Sequence, residues 1–218
     1  MKTILFDLDG TIIDSAESIT RSAQYALEKF GISVNDLKEL YPFIGPPLVD
    51  SFMKFYGFSE QDAMLATQYY RDRYAVKGIY ETKLYDGVED MLRSVKNLGY
   101  KIAITTSKNE PHSIMILEYH KIASLFDTIS GGNADGTCAT KRDVVEKALK
   151  RLGVTDDERK NETWLVGDRI FDIEGARQCA VRPVGVSYGF APQGELESLN
   201  PEFIAKSPED ITRYFKLQ

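Results

Sequence analysis

Asp7 and Asp9 stand two residues apart, followed by Gly10 and Thr11, at the end of the apolar run Thr3 to Leu8. Far along the chain, Gly167, Asp168 and Asp172 follow another apolar run, Trp164-Leu165-Val166. Carboxylates gathered at one place repel one another unless a cation neutralises them. An oxygen-only set with no His or Cys selects a hard ion, and an incomplete protein shell favours Mg²⁺ over Ca²⁺. Beside such an ion Asp7 can act as a carboxylate nucleophile. Phosphoryl transfer asks mainly for positioning and charge neutralisation. Mg²⁺, Lys141, the Thr106 hydroxyl and nearby backbone N–H groups are suited to hold the equatorial oxygens. Asp9 is placed to protonate a leaving group and later activate water, with Gly10 allowing the turn and a close backbone approach.

These groups must be brought together by the fold. Thr3 to Leu8 has the length and composition of a buried strand, and Asp9-Gly10-Thr11 ends it as a turn. From about residue 84 onward, helix signals at 87–98, 110–121, 141–152, 172–179 and 208–216 alternate with apolar strands. The strands expected are Ile102–Thr106, Thr128–Ser130, Thr163–Val166 and Val184–Val186, with Phe203-Ile204 as a short addition. This alternation predicts an α/β fold, a doubly wound, Rossmann-like parallel sheet. Ligands of such sheets bind beyond the carboxyl ends of the strands. Asp7 and Asp9 follow the first strand; Thr106, Ser107 and Lys108 follow the second; Asp168 and Asp172 follow the fourth. Lys141 opens the helix before the fourth strand.

Residues 15–80 read differently. Asp14 with Glu17 suggests a capping box, and Ile19, Ala23, Leu27 and Phe30 repeat at helical spacing up to Gly31. Leu37 and Leu40 suggest a short helix. Leu48, Phe52 and Phe55 mark another, and Ser59 caps a last one carrying Ala63, Ala66, Tyr70 and Tyr74 on one face. The expected organisation is an α/β core at 1–14 and 81–218, with an all-helical cap domain at 15–80. Within it, Phe43-Ile44-Gly45-Pro46-Pro47 must be a loop or sharp turn.

With these motifs in order, the sequence resembles the haloacid dehalogenase superfamily, in its phosphoglycolate-phosphatase-like branch with a helical cap. Asp7-Leu8-Asp9-Gly10-Thr11 resembles the first motif, Thr106-Ser107-Lys108 the second, Lys141 the third and Gly167-Asp168-Arg169-x-x-Asp172 the fourth. The resemblance spans essentially the whole chain. It implies a phosphatase with Asp7 as nucleophile and Asp9 as general acid/base. It implies Mg²⁺ ligated by Asp7, the Asp9 backbone carbonyl and Asp168, with Asp172 one step behind and orienting Lys141. Thr106 and Ser107 would bind the phosphoryl group, although many relatives carry Asn where Ser107 stands. The cap loop around Gly45 would face the substrate.

Other features bound the answer. The 218 residues, 43% hydrophobic and 28% charged, suit a globular chain with a real core. A net charge of −6 argues against a nucleic-acid partner or a basic membrane surface. No apolar run spans a bilayer, the N-terminus lacks a signal-peptide pattern, and Cys138 and Cys179 match no metal spacing, so the expected compartment is the cytoplasm. Gly131 to Gly136 lacks a phosphate-loop ending and reads as a polar turn before Lys141. The expected partner is a small phosphorylated metabolite, and the chain is expected to be a monomer or homodimer. Two other functions use similar residues. A phosphosugar mutase would return the phosphoryl group to the sugar. A receiver-like signalling module would phosphorylate an Asp on a smaller, capless domain, with no counterpart of Asp9.

Overall fold

Strand β1 (Thr3–Phe6) is buried along its whole length, as a continuous apolar run flanked on both faces should be. The computed structural model describes residues 2–133 and 140–218. They form two compact units, one of Met1–Asp14 with Leu84–Gln218 and one of Ser15–Lys83. Two short strands, β2 (Ile13–Asp14) and β3 (Lys83–Leu84), pair in a sheet of their own.

The first unit is built on a six-stranded sheet. Its further strands are β4 (Lys101–Asn109), β5 (Thr128–Gly132), β6 (Thr163–Gly167), β7 (Arg182–Val186) and β8 (Phe203–Ala205), in the order β5-β4-β1-β6-β7-β8. All neighbours run parallel. Phe6 aligns with Ile104 of β4 and Val166 of β6, so the chain following β1 emerges between the ends of two other strands. The expected doubly wound α/β sheet is present, including the short strand at Phe203.

Strand β1 ends at Phe6, earlier than the expected Leu8. The cause is local: the Leu8 carbonyl accepts the backbone N–H groups of Ile12 at 2.9 Å and Ile13 at 3.0 Å, so the turn begins at Leu8 itself. The Asp7 N–H still reaches the Val166 carbonyl at 2.9 Å, which ties the residue to β6.

The helices of this unit are α4 (Val88–Asn97), α5 (Glu110–Tyr119), α6 (Lys141–Leu152), α7 (Asp156–Glu162), α8 (Ile170–Gln178), α9 (Glu195–Leu199) and α10 (Pro208–Phe215). On one face of the sheet, Leu5, Ala103 and Leu165 pack with Val145, Ala148 and Leu149 of α6 and Ala176 of α8. Each large aliphatic side chain buried there contributes about 1.5–3 kcal/mol. That packing fixes both helices whose first turns carry polar groups toward the sheet edge. Helix α6 starts where the Thr140 hydroxyl accepts the Asp143 N–H at 3.2 Å, and stops at Gly153 in left-handed conformation.

The second unit holds α1 (Ala16–Glu28), a 3₁₀ turn at Leu37–Phe43, α2 (Leu48–Tyr56) and α3 (Glu60–Val76). The Asp14–Glu17 capping box is not formed. Ser15 is the N-cap residue, and Glu17 reaches Arg21 at 2.9 Å and Lys83 at 3.5 Å instead. Ser59 caps α3 as expected, with its hydroxyl accepting the Asp62 N–H at 3.1 Å. Tyr70 and Tyr74 are buried and stacked with centroids 5.7 Å apart, which makes them helix packing. Phe43 packs on Phe52 at 4.9 Å, and Gly45 follows with φ +107 before Pro46 and Pro47 lead into α2.

Candidate active site

Lys141 is the hub of the site. Lys141 is the first residue of α6, and its side chain reaches Asp7, just past the end of β1, and the backbone of β4. Its ammonium donates to Asp7 Oδ1 at 2.6 Å and to the Thr105 carbonyl at 2.8 Å, and lies 2.8 Å from Asp172 Oδ1. Only 7% of the Lys141 side chain is exposed. Gly175 of α8 makes room for it: a Cβ there would stand 2.5 Å from Lys141 Cγ. Burial works against the Lys141 charge, yet the Asp172 and Asp7 carboxylates outweigh it and hold the ammonium above the ordinary lysine range.

The carboxylates feel the opposite pressure. Burial pushes the Asp7 carboxyl up to about 7, with Lys141 pulling it down and Asp172 pushing it further up. Burial also raises Asp168 well above the carboxylate range, and the Asp172 charge adds to the effect. Asp7, Asp168 and Asp172 offer oxygens within 4.8 Å of one another. Against the three carboxylates, Lys141 pairs directly with Asp7 and Asp172, while the Arg169 charge is the smallest of the influences on Asp168.

The hydrogen bonds show where a cation fits. Asp172 Oδ2 accepts the Arg169 N–H at 3.0 Å, which also caps α8, and its Oδ1, buried without a hydrogen-bond partner among the described residues, is ion-paired with Lys141 at 2.8 Å. Asp168 Oδ2 accepts the Phe190 N–H at 2.7 Å, while its Oδ1 is buried with no hydrogen-bond partner among the described residues. A buried carboxylate oxygen with no donor is costly, and an all-oxygen donor set suits a hard divalent ion. The residues present therefore fit a divalent metal.

Gly10 permits this arrangement. Its φ is +78, and a Cβ would fall 2.1 Å from Asp168 Oδ2. Asp9 lies at the start of the same turn, with Oδ1 3.3 Å from Lys108 Nζ. Thr106 is buried, and its hydroxyl accepts the Lys108 N–H at 3.2 Å. Lys108 thus links the second strand end to Asp9. Ser107 is exposed to solvent. Gly45 belongs to the helical unit and is described with it. Of Gly131 to Gly136, the first two close β5, and residues 134–136, like Cys138, lie outside the described residues.

Three features were not read from the sequence. The Thr105 carbonyl on Lys141 is a backbone group and carries no sequence mark. Lys108 stood in the second motif without an assigned partner. The segment Ser187–Phe190 after β7 was passed over, although the strand-end rule applies to β7 as much as to β1. Its Gly189 between two aromatic residues was the available signal.

Comparisons with known proteins give the family of the chain. A family model described as haloacid dehalogenase-like hydrolase matches residues 4–186, and the chain belongs to that family. A 5'-nucleotidase from Pseudomonas aeruginosa is 38% identical over 91% of this chain and 88% of its own length. A phosphoglycolate phosphatase from Aquifex aeolicus is 30% identical over 98% of this chain and 96% of its own. Among solved structures, a predicted phosphatase from Clostridium acetobutylicum is 40% identical with a TM-score of 0.90, over 100% of this chain and 99% of that one. The chain is a phosphatase of this family acting on small phosphorylated substrates. Among the described residues no helix is long and apolar enough to cross a membrane.

Proposed function

We propose that the chain is a Mg²⁺-dependent phosphomonoesterase that passes the phosphoryl group through Asp7, and that nucleoside monophosphates are the first substrates to test. The observation that carries this reading is the state of Asp7. One of its oxygens is fixed by Lys141 at 2.6 Å, within a set of three buried carboxylates whose oxygens lie within 4.8 Å of one another. The nucleotide preference rests on the 5'-nucleotidase relative; phosphoglycolate and sugar phosphates are the comparison substrates.

In this reading Lys141 orients Asp7 and neutralises part of the incoming charge, while Asp172 and the Thr105 carbonyl keep Lys141 in place. A carboxylate oxygen of Asp7 attacks phosphorus, the ester P–O bond breaks, and Asp9 gives its proton to the departing oxygen. Asp9 then takes a proton from the water that hydrolyses the acyl phosphate and regenerates Asp7. Thr106 and the backbone beside it hold the phosphoryl oxygens, with Gly10 giving close backbone access. Bound Mg²⁺, held by Asp7, Asp168 and the Asp9 carbonyl, supplies charge neutralisation at the phosphoryl group. Lys108 holds Asp9 between turnovers. The helical unit, and Phe43–Pro47 with Gly45 within it, selects the ester.

The test is phosphate release from a panel of phosphomonoesters with Mg²⁺. Asp7→Asn is expected to abolish release while leaving the circular dichroism spectrum unchanged; retention of more than about 1% of the activity overturns Asp7 as nucleophile. Isomerised sugar phosphate without net phosphate release would replace this reading with the mutase.

A further inference from the structure

The loop after β7 touches both acid-bearing loops through three consecutive residues. The Tyr188 hydroxyl donates to the Thr11 carbonyl at 2.9 Å, in the turn that carries Asp9 and Gly10. Gly189 lies so close that a Cβ would stand 2.3 Å from the Gly10 carbonyl oxygen, 2.5 Å from Asp168 Cβ and 2.6 Å from Asp168 Oδ2. The Phe190 N–H donates to Asp168 Oδ2 at 2.7 Å.

The loop is itself anchored on both sides. At its base the Ser187 N–H reaches the Ala205 carbonyl of β8 at 2.9 Å. The Tyr188 ring packs edge-on against Tyr85 with centroids 5.0 Å apart, and the Tyr85 N–H donates to the Ile12 carbonyl at 3.3 Å. Beyond the loop, Glu195 Oε1 accepts the Ile170 N–H at 2.9 Å and meets Arg169 Nε at 3.0 Å, so the same stretch of chain also holds the start of α8.

We infer that Tyr188-Gly189-Phe190 is a positioning clasp that sets the first acid loop and Asp168 in register. One end, Phe190 N–H with Gly189, engages Oδ2 of Asp168 and thereby leaves Oδ1 as the oxygen without a donor. The other end, the Tyr188 hydroxyl, fixes the backbone of the Asp9 turn. A group that orients a metal-binding carboxylate governs metal affinity, and such partners are commonly worth about 10- to 100-fold. A hydrogen bond that positions a proton-transfer residue governs turnover instead. The two ends of the clasp should therefore separate in experiment. This inference rests on the reading of Asp168 as a Mg²⁺ ligand.

The test uses the full-length protein in three variants, Gly189→Ala, Tyr188→Phe and Asp168→Asn. Apparent Mg²⁺ affinity is read from the rise in thermal midpoint with Mg²⁺ concentration, independently of activity. Turnover is read separately at saturating Mg²⁺. Gly189→Ala is expected to weaken Mg²⁺ binding about 10- to 100-fold. Tyr188→Phe keeps the ring contact with Tyr85 and is expected to lower kcat about threefold to tenfold with Mg²⁺ affinity unchanged. Wild-type Mg²⁺ affinity in Gly189→Ala, together with loss of affinity in Asp168→Asn, overturns the clasp and leaves the metal reading standing. Wild-type affinity in Asp168→Asn overturns the metal reading itself. If Gly189→Ala does not fold, Tyr188→Phe decides: an unchanged kcat, or a fall in kcat and Mg²⁺ affinity together, overturns the division of roles.

Discussion

At the scale of single residues, the site is a competition between protons and a cation. Burial disfavours the Asp7 charge and pushes its carboxyl up to about 7. Its ordinary value is 3.8, so the folded value is raised. A raised carboxyl contributes stability below its unfolded value and loses that contribution as pH rises through about 7. A divalent cation needs the ionised form and restores what ionisation costs. Saturating Mg²⁺ should therefore raise the thermal midpoint more at about pH 8 than at about pH 5.5. Equal gains at the two pH values would mean that Asp7 is not among the groups the cation meets. Asp9→Asn tests the neighbouring role: the acyl phosphate should form slowly and persist, and a wild-type turnover rate would remove Asp9 as the proton carrier.

At the scale of elements, what matters is how α6 is held, because it delivers Lys141. Glu110 of α5 receives Arg151 at 3.0 Å and Lys147 at 2.7 Å, both from α6, and accepts the Gly131 N–H of β5 at 3.0 Å. Partial burial works against the Glu110 charge, but Arg151, the Gly131 N–H and Lys147 outweigh it and hold the carboxyl at about 2, against an ordinary 4.5. A lowered carboxyl gives stability that is complete above its ordinary value and is lost as pH falls toward about 2. Glu110→Gln should flatten the acid limb of stability between pH 4.5 and about 2, measured by chemical denaturation across that window. An unchanged limb would place the support of α6 elsewhere. Legibility in the sequence also divides by element. Strands β4, β5, β6 and β7 and helices α4, α5, α6, α8 and α10 were readable because apolar runs and periodicity mark buried faces. Helix α7 was not, because Asp156 to Glu162 is polar throughout; its one signal was the Thr155–Glu158 capping box. The Ser187–Phe190 loop escaped because it acts through backbone groups and one hydroxyl.

At the scale of the whole molecule, the sheet carries the stability and its edge carries the chemistry. The motifs were legible in order because they sit near the carboxyl ends of strands, in the last residues of β4 for Thr106–Lys108, or at a helix start for Lys141, and parallel topology gathers these positions at one edge. What the order could not tell is the spacing between carboxylates, since that depends on glycines such as Gly10 and Gly189 admitting close approach. Stability and chemistry should separate under mutation. Leu165 is fully buried between β1 and β7. Leu165→Ala should cost about 2–5 kcal/mol in denaturant unfolding. At temperatures where the variant remains folded, its Mg²⁺ affinity should stay at the wild-type value; a matching loss of affinity would show that core packing sets the carboxylate spacing directly. The central claim concerns one bond, between phosphorus and a carboxylate oxygen of Asp7. Acid quenching of the Asp9→Asn variant during turnover of a nucleoside monophosphate, followed by peptide mass analysis, reads that bond. The expected result is one phosphoryl group on the N-terminal peptide, located at Asp7 and absent from the variant that also carries Asp7→Asn. A phosphoryl group at another residue, or phosphate release with no covalent adduct at any quench time, would contradict the account.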